Sequence, residues 1–173
     1  GATTYTVPID IYQSPNGFQP QLVLGYNSQG GNTSMGMGWN FGGASVITRV
    51  AQSQYYDGST KGITMGKEDA FVLDGMRLLK TEETSTQIKY ETEQGNIKAI
   101  AYLNGSVVKY FDVFYPDGSK AIFGYTINNT SSLTYPIVNL SDRFNNSIFF
   151  NYSYAGGKYF LIQIMYGSSY SAS

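Results

Sequence analysis

Histidine and cysteine are both absent from this chain of 173 residues. Any chemistry must therefore come from carboxylates, lysines, hydroxyls and backbone. A Ser-His-Asp triad, His-ligated metals, thiolate chemistry and sulfur-ligated zinc are excluded. Three carboxylate pairs could do general acid/base or glycosidase work, which needs two such groups flanking a bond: Glu68-Asp69, Glu82-Glu83, and Glu91 with Glu93. Glu91 and Glu93 would share one strand face, but neighbouring turns and solvent account for these pairs equally. Asp57-Gly58-Ser59 and Asp117-Gly118-Ser119 resemble pieces of calcium loops. They lack the alternate acidic ligands such loops need and read as hairpin turns.

Glycine offers one more candidate. The stretch from Leu24 to Gly43 spends seven of its twenty residues on glycine, and Gly36-Met37-Gly38 supplies a G-x-G. Neither a helix pattern nor a P-loop lysine follows, so no phosphate cradle is indicated. The stretch reads as a tight crossover between sheets, with Trp39 folded back as a core plug and Tyr26 and Asn27 capping the preceding strand. No cofactor and no metal site are implied.

Eleven basic and twelve acidic residues leave a net charge of −1. The basic residues are scattered, so the stripe needed to displace counterions from nucleic acid is missing. No apolar run reaches the ~18 residues of a membrane span. The N-terminal GATTYTV has neither the basic segment nor the apolar core of a signal peptide, which suits a trimmed or internal segment. Seven N-x-S/T tripeptides, beginning at Asn32, Asn104, Asn128, Asn129, Asn139, Asn145 and Asn151, suit a secreted or cell-surface setting. The 16 Tyr, 10 Phe and single Trp could stack on sugars, although their alternating spacing places most of them in cores first. A carbohydrate-binding or adhesion β-module, with a glycan as partner, is the second functional reading.

The elements that would position these residues are strands. Tyr5, Val7, Ile9 and Ile11 alternate with polar or small residues, and Leu22, Leu24 and Tyr26 resume the alternation after Ser14-Pro15-Asn16-Gly17. Strand-like runs follow at Ala44 to Val50, Phe71 to Leu73, Arg77 to Lys80, Gln87 to Glu91 and Ile97 to Tyr102. Leu73, Met76, Leu78 and Leu79 would also suit a helix over Lys67 to Glu83, but Asp74-Gly75 in its middle favours two strands around a tight turn. Val107 to Tyr115 and Ala121 to Ile127 flank Pro116-Asp117-Gly118-Ser119, a type I turn with proline at its second position. Ile137 to Leu140 and Ser147 to Tyr154 flank a turn at Asp142 to Asn146. The last run, KYFLIQIMYG, is apolar on both faces and needs cover on both sides or a partner. The fold class is all-β: antiparallel hairpins and meanders forming a sandwich or a partly open, barrel-like shell segment, with little or no helix. Residues 1–173 form a β-rich domain, either as one unit or as two packed subdomains, 1–103 and 104–173.

So divided, the chain resembles the N-terminal region of the Rhs/YD-repeat toxin-shell proteins, in particular the SpvB-like and toxin-complex B component group. Pro20, Leu22, Leu24, Tyr26, Asn27, Ser28, Gly31, Asn32, Gly36, Gly38 and Trp39 match that family's P-x-L-x-L-x-Y-N-S-x-x-G-N-x-x-x-G-x-G-W motif in order. Ile47-Thr48-Arg49 is similar to its I-x-R continuation, and Asp69, Phe71, Leu73, Gly75 and Leu78 to its D-x-F-x-L-x-G-x-x-L segment. Asp117-Gly118-Ser119 with Phe123-Gly124 is similar to its D-G-T and Y-G element. Asp142 to Ile148 with Phe150, Tyr152 and Tyr154 resembles a YD-type unit, with Asn145 where glycine is usual; asparagine also enters left-handed conformations.

The resemblance spans Tyr5 to Tyr166. It implies a non-enzymatic structural scaffold, the N-terminal part of a secreted or surface protein whose β-shell houses or presents a toxin or effector. The partner it implies is the rest of the full-length chain. Family shells are built from many YD-type units and this chain has about one, so these residues are not expected to enclose a cargo by themselves.

Overall fold

In the computed structural model, the described residues are 1–9, 22–29, 32–33, 36–37, 39–42, 44–124, 132–155 and 158–167. They form fifteen strands and one single-turn helix. By its internal contacts the chain divides into two compact units. One comprises residues 1–44 with 151–163, the other residues 45–150 with 164–173.

In the first unit, β1 (Thr4–Ile9), β2 (Leu22–Asn27) and β5 (Trp39–Gly42) make an antiparallel three-stranded sheet in that order. Between β2 and β5, β3 (Asn32–Thr33) and β4 (Gly36–Met37) pair as a two-residue ladder. Tyr26 lies opposite Trp39 and Val23 opposite Gly42. The glycine stretch therefore folds back on itself and returns to the sheet it left. Only after Gly42 does the chain pass to the second unit, so the expected sheet-to-sheet crossover sits later than the Gly/Trp motif.

The second unit is built on eight strands: β6 (Val46–Val50), β7 (Ala70–Leu73), β8 (Met76–Glu83), β9 (Gln87–Thr92), β10 (Lys98–Asn104), β11 (Val107–Phe114), β12 (Lys120–Phe123) and β13 (Thr134–Ser141). Each pairs antiparallel with the next, and β13 also pairs with β6. The result is a closed up-and-down barrel, where the sequence leaves a sandwich and a partly open barrel both available. Two further strands, β14 (Ser147–Ala155) and β15 (Lys158–Gly167), extend the sheet beyond β13. On one edge β13 is paired by β12. Its other edge is taken by β6 at residues 134–136 and by β14 at residues 139–141.

Turn chemistry sets this meander. Asp74 (φ 48°) and Gly75 (φ 85°) make a two-residue turn between Leu73 and Met76. Two positive φ angles match the twist of a hairpin, so the strand reading of residues 67–83 holds over the helical one. Tyr115 to Ser119 and Asp142 to Asn146 use one design. The first residue's N–H donates to the fifth residue's carbonyl at 3.0 Å, and the fourth residue's N–H donates back to the first's carbonyl. That fourth residue is left-handed, as Gly118 (φ 84°) and Asn145 (φ 64°). Asn145 thus adopts the conformation anticipated for it. Asp57-Gly58 differs from expectation: it closes the helix α1 (Gln54–Asp57), with Gly58 as a left-handed C-cap and Ser53 as N-cap. A single helical turn satisfies the local backbone there, where no partner strand is in register.

Alternate residues point inward and fill the barrel. Ile47, Phe71, Leu73, Leu78, Ile88, Tyr90, Phe111, Val113, Phe123, Tyr135 and Ile137 are buried. Ala99 and Ala101 on β10 leave room for the large side chains, with Ala101 directly opposite Phe111. A bulge at Tyr102/Leu103 inserts one residue into β11, so its inward positions step from Val108 to Phe111. Eight strands give an interior that side chains just fill. This one holds a ring cluster in which Phe71, Phe111 and Tyr135 meet edge to face, with centroids 5.0–6.1 Å apart. Aromatic pairs prefer that geometry because ring edges are positive and faces negative.

Candidate functional site

Among the inward positions of β6 is a charge. Arg49 is 2% exposed. Its Nη1 donates to Asp69 Oδ2 at 2.9 Å and to the Gly66 carbonyl, its Nη2 donates to the Tyr135 hydroxyl at 2.9 Å, and its Nε donates to the Ser132 carbonyl at 3.2 Å. The Tyr135 hydroxyl in turn donates to the Val108 carbonyl at 3.0 Å. The guanidinium also lies 4.8 Å from the centroid of the Phe71 ring, a cation–π contact strengthened by the dry surroundings. Asp69, 5% exposed, accepts from the Thr64 amide at 2.9 Å and the Thr64 hydroxyl at 2.7 Å. Burial alone would push the Asp69 carboxyl up. The Thr64 hydrogen bonds and the Arg49 guanidinium outweigh that and hold it below the usual carboxylate range.

A buried ion pair is stable only when its remaining donors and acceptors are satisfied, and here they are. The network ties the connection between β6 and β7 to the barrel interior through Thr64, Gly66 and Asp69. The adjacent Glu68 and Asp69 diverge: Asp69 enters the core, while the Glu68 side chain is 58% exposed.

Glu68 joins Lys67, Lys80 and Glu83, the last two on the face of the sheet that carries Tyr90 and Ile88. Lys67 Nζ lies 2.6 Å from Glu83 Oε1, and Lys80 Nζ lies 2.8 Å from Glu83 Oε2 and 3.5 Å from Glu68 Oε2. The Lys67 and Lys80 hydrogen bonds hold the Glu83 carboxyl down at about 2. This lattice borders a cleft of about 470 Å³, which Gln52, Ser59, Lys61, Ala70, Leu78 and Tyr90 also line. Of the other carboxylate candidates, Glu82 pairs with Lys89 at 2.8 Å and Glu91 with Lys98 at 3.6 Å. Glu93 lies past the end of β9 and is exposed.

The remaining sequence-marked residues act on the backbone. Asn27 Oδ1 accepts from the Gln29 amide at 3.0 Å, and Ser28 bonds the Thr3 backbone through both its amide and its hydroxyl, each at 2.9 Å. Tyr26, Asn32, Gly36 and Trp39 are strand residues. Gly31, Gly38 and the Trp39 side chain, with its assignment as a core plug, lie outside the described residues. Asp117 Oδ1 accepts from the Ser119 amide at 2.8 Å and the Ser119 hydroxyl at 2.6 Å. Asp142 accepts from the amides of Phe144 and Asn146 at 2.8 and 2.9 Å. These two turns are neighbours: a Cβ on Gly118 would stand 3.4 Å from the Arg143 Cβ. Tyr152, on β14, has a buried hydroxyl with no hydrogen-bond partner, and its burial raises the phenol's pKa.

Arg49 thus meets Asp69, and Asp117-Gly118 meets the Asp142 turn. The Tyr26 to Trp39 motif belongs to the other compact unit. Sequence reasoning missed Tyr135, Thr64 and Gly66. A tyrosine directly before Pro136 in the alternating run TYPIV was the available signal for the first. No group of three or more metal-ligating side chains occurs among the described residues, and no helix among them is long and apolar enough to cross a membrane.

The model of the family described as "SpvB: Salmonella virulence plasmid 65kDa B protein" matches residues 1–132. No curated protein matches the chain. The N-terminal domain of the effector protein SpvB from Salmonella typhimurium strain LT2 superposes with a TM-score of 0.69 at 18% identity, over 94% of this chain and 63% of that one. The crystal structure of TcdB2-TccC3 gives 0.69 at 16% identity, over 96% of this chain and 10% of that one. The Tc holotoxin pore of Photorhabdus luminescens gives 0.64 at 17%, over 96% and 9%. At these identities the likeness is one of fold, and the chain spans a tenth or less of those two toxin-complex chains. Together with the Tyr26 to Trp39 motif and the buried I-x-R arginine, the family match over three quarters of its length places the chain in the SpvB family.

Proposed function

We propose that the chain is a non-enzymatic scaffold, the N-terminal framework of a secreted or surface-displayed toxin-complex-like protein whose β-shell houses or presents an effector. The observation that carries this reading is the end of the large sheet. Beyond the closed barrel the sheet continues through β14 to β15, its last strand. β15 bears Ile162, 66% exposed, and Tyr166, 38% exposed. An edge strand with exposed apolar residues is a template for another strand, and its partner on this reading is a downstream hairpin of the same polypeptide. The state of the carboxylates supports a framework over an enzyme. Asp57, Asp69, Glu82, Glu83, Glu91 and Asp112 each pair with a lysine or arginine, as charges that hold strands together do.

The test uses the intact gene product. Electron microscopy should show a closed shell continuous with this barrel, and limited proteolysis should spare the enclosed part. Ile162→Lys in the intact protein should loosen the shell and admit protease. A β15 edge that stays solvent-exposed in the intact product would sink the proposal.

A further inference from the structure

We propose that the cleft between the β6–β7 connection and strands β7 to β9 is a binding site for a neutral, hydroxyl-rich ligand, a short uncharged glycan. Its volume of about 470 Å³ lies in the ordinary range for small-ligand sites. Its floor is apolar and buried: Ala70, Leu78 and Tyr90 are 6%, 3% and 4% exposed. Its walls carry donors and acceptors together, from Gln52, Ser59, Lys67, Glu68 and Lys80. A sugar needs that combination, an apolar face beneath and mixed hydrogen-bonding groups around its hydroxyls.

Charge argues for a neutral ligand. The lining holds Lys61, Lys67 and Lys80 against Asp57, Glu68 and Asp69, three of each sign. Most of these are already compensated within the protein. Asp57 is taken by Arg77 and Asp69 by Arg49, while Lys67 and Lys80 share Glu83 and Glu68. An anion approaching Lys67 or Lys80 would have to displace Glu68 or Glu83. A hydroxyl can bridge them without breaking the lattice.

The cleft is also built in advance. Gln52 N–H donates to the Lys61 carbonyl at 2.9 Å, its side chain donates to the Glu68 carbonyl, and its Oε1 accepts from the Ser59 hydroxyl at 2.7 Å. Lys67 N–H donates to the Ser106 carbonyl at 2.9 Å. With the wall fixed before binding, little ordering entropy opposes a ligand. The buried Arg49–Asp69 pair, which anchors that connection, then gains a second consequence: it holds one side of the cleft. The proposal does not rest on the scaffold reading.

The experiment is a glycan array of uncharged oligosaccharides, followed by titration of the isotope-labelled chain with the array hits and with glucuronate as the anionic control. A neutral glycan should shift the amides of Gln52, Lys67, Lys80 and Tyr90 saturably. Ser59→Ala and Glu68→Gln, each confirmed folded by its thermal melt, should weaken binding about fivefold, as losing one hydrogen-bonding partner does. Asp112→Asn, away from the cleft, should leave binding unchanged. The proposal is overturned if no neutral glycan binds, if only glucuronate binds, or if the shifts fall outside the cleft.

Discussion

Replacing Asp69 with asparagine keeps the shape of the side chain and removes its charge. Arg49, with a side chain fully shielded from solvent, then keeps the carbonyls of Gly66 and Ser132 and the Tyr135 hydroxyl, but no counter-charge. Breaking a buried pair from one side costs about 3–5 kcal/mol, because the surviving charge stays desolvated. A domain of this size is stable by about 5–15 kcal/mol, so Asp69→Asn should remove a large fraction of the total and lower the urea midpoint of the circular-dichroism transition. Arg49→Met removes the other charge and leaves Asp69 to the Thr64 amide and hydroxyl. The double variant should cost less than the sum of the singles by about 1–3 kcal/mol. The acid limb provides a second readout. The folded Asp69 carboxyl is held below its ordinary value, so its contribution is complete above the unfolded pKa and is lost as pH falls through the lower folded one. The acid loss of stability should flatten in Asp69→Asn. Additive single variants, or an Asp69→Asn cost below about 1 kcal/mol, would refute the reasoning.

Gly124→Ala should be among the most damaging single-methyl changes. Gly124 has φ 82°, and its new Cβ would stand 2.7 Å from Tyr135 Cδ1, so left-handed strain and displacement of the arginine's phenol partner should together cost about 2–5 kcal/mol in a denaturant melt. Asn145→Gly should be neutral or slightly stabilising, whereas Asn145→Ala should cost about 1–2 kcal/mol, since the position is left-handed (φ 64°). The Glu83 carboxyl should stay ionised down to about pH 2 in a carbon-detected titration. Lys67→Met should move its pKa up toward 4.5, and an unmoved titration would show that Lys67 does not hold it down.

Most of the strand order was legible, because alternation and turn chemistry are local. Asp74-Gly75, Pro116-Asp117-Gly118 and Asp142 to Asn146 each announced a hairpin, and each is one. Closure was not legible. The β6–β13 pairing sets Thr48 against Thr134, and nothing near either residue encodes the other. The site divides in the same way. Arg49 and Asp69 were both marked by motif, but their meeting inside the barrel depends on the path of the β6–β7 connection. Tyr135 lies still farther along the chain. Asp57-Gly58 shows the limit of dipeptide signals: the same pair that closes hairpins also caps a helical turn, and the absence of a partner strand decides between them.

The meander has one consequence for how the chain folds. Every hydrogen-bonded pairing between barrel strands joins sequence neighbours except the last, which links residues 48 and 134, a separation of 134 − 48 = 86 positions. Hairpins form in about 1–10 μs, so an open, curled sheet can assemble step by step from local pieces before its ends meet. Closure then becomes the slow event, and until it happens both β6 and β13 are bare edges. Because β6 and β14 take adjoining, non-overlapping stretches of one β13 edge, sealing the barrel and extending the sheet share a strand without excluding each other.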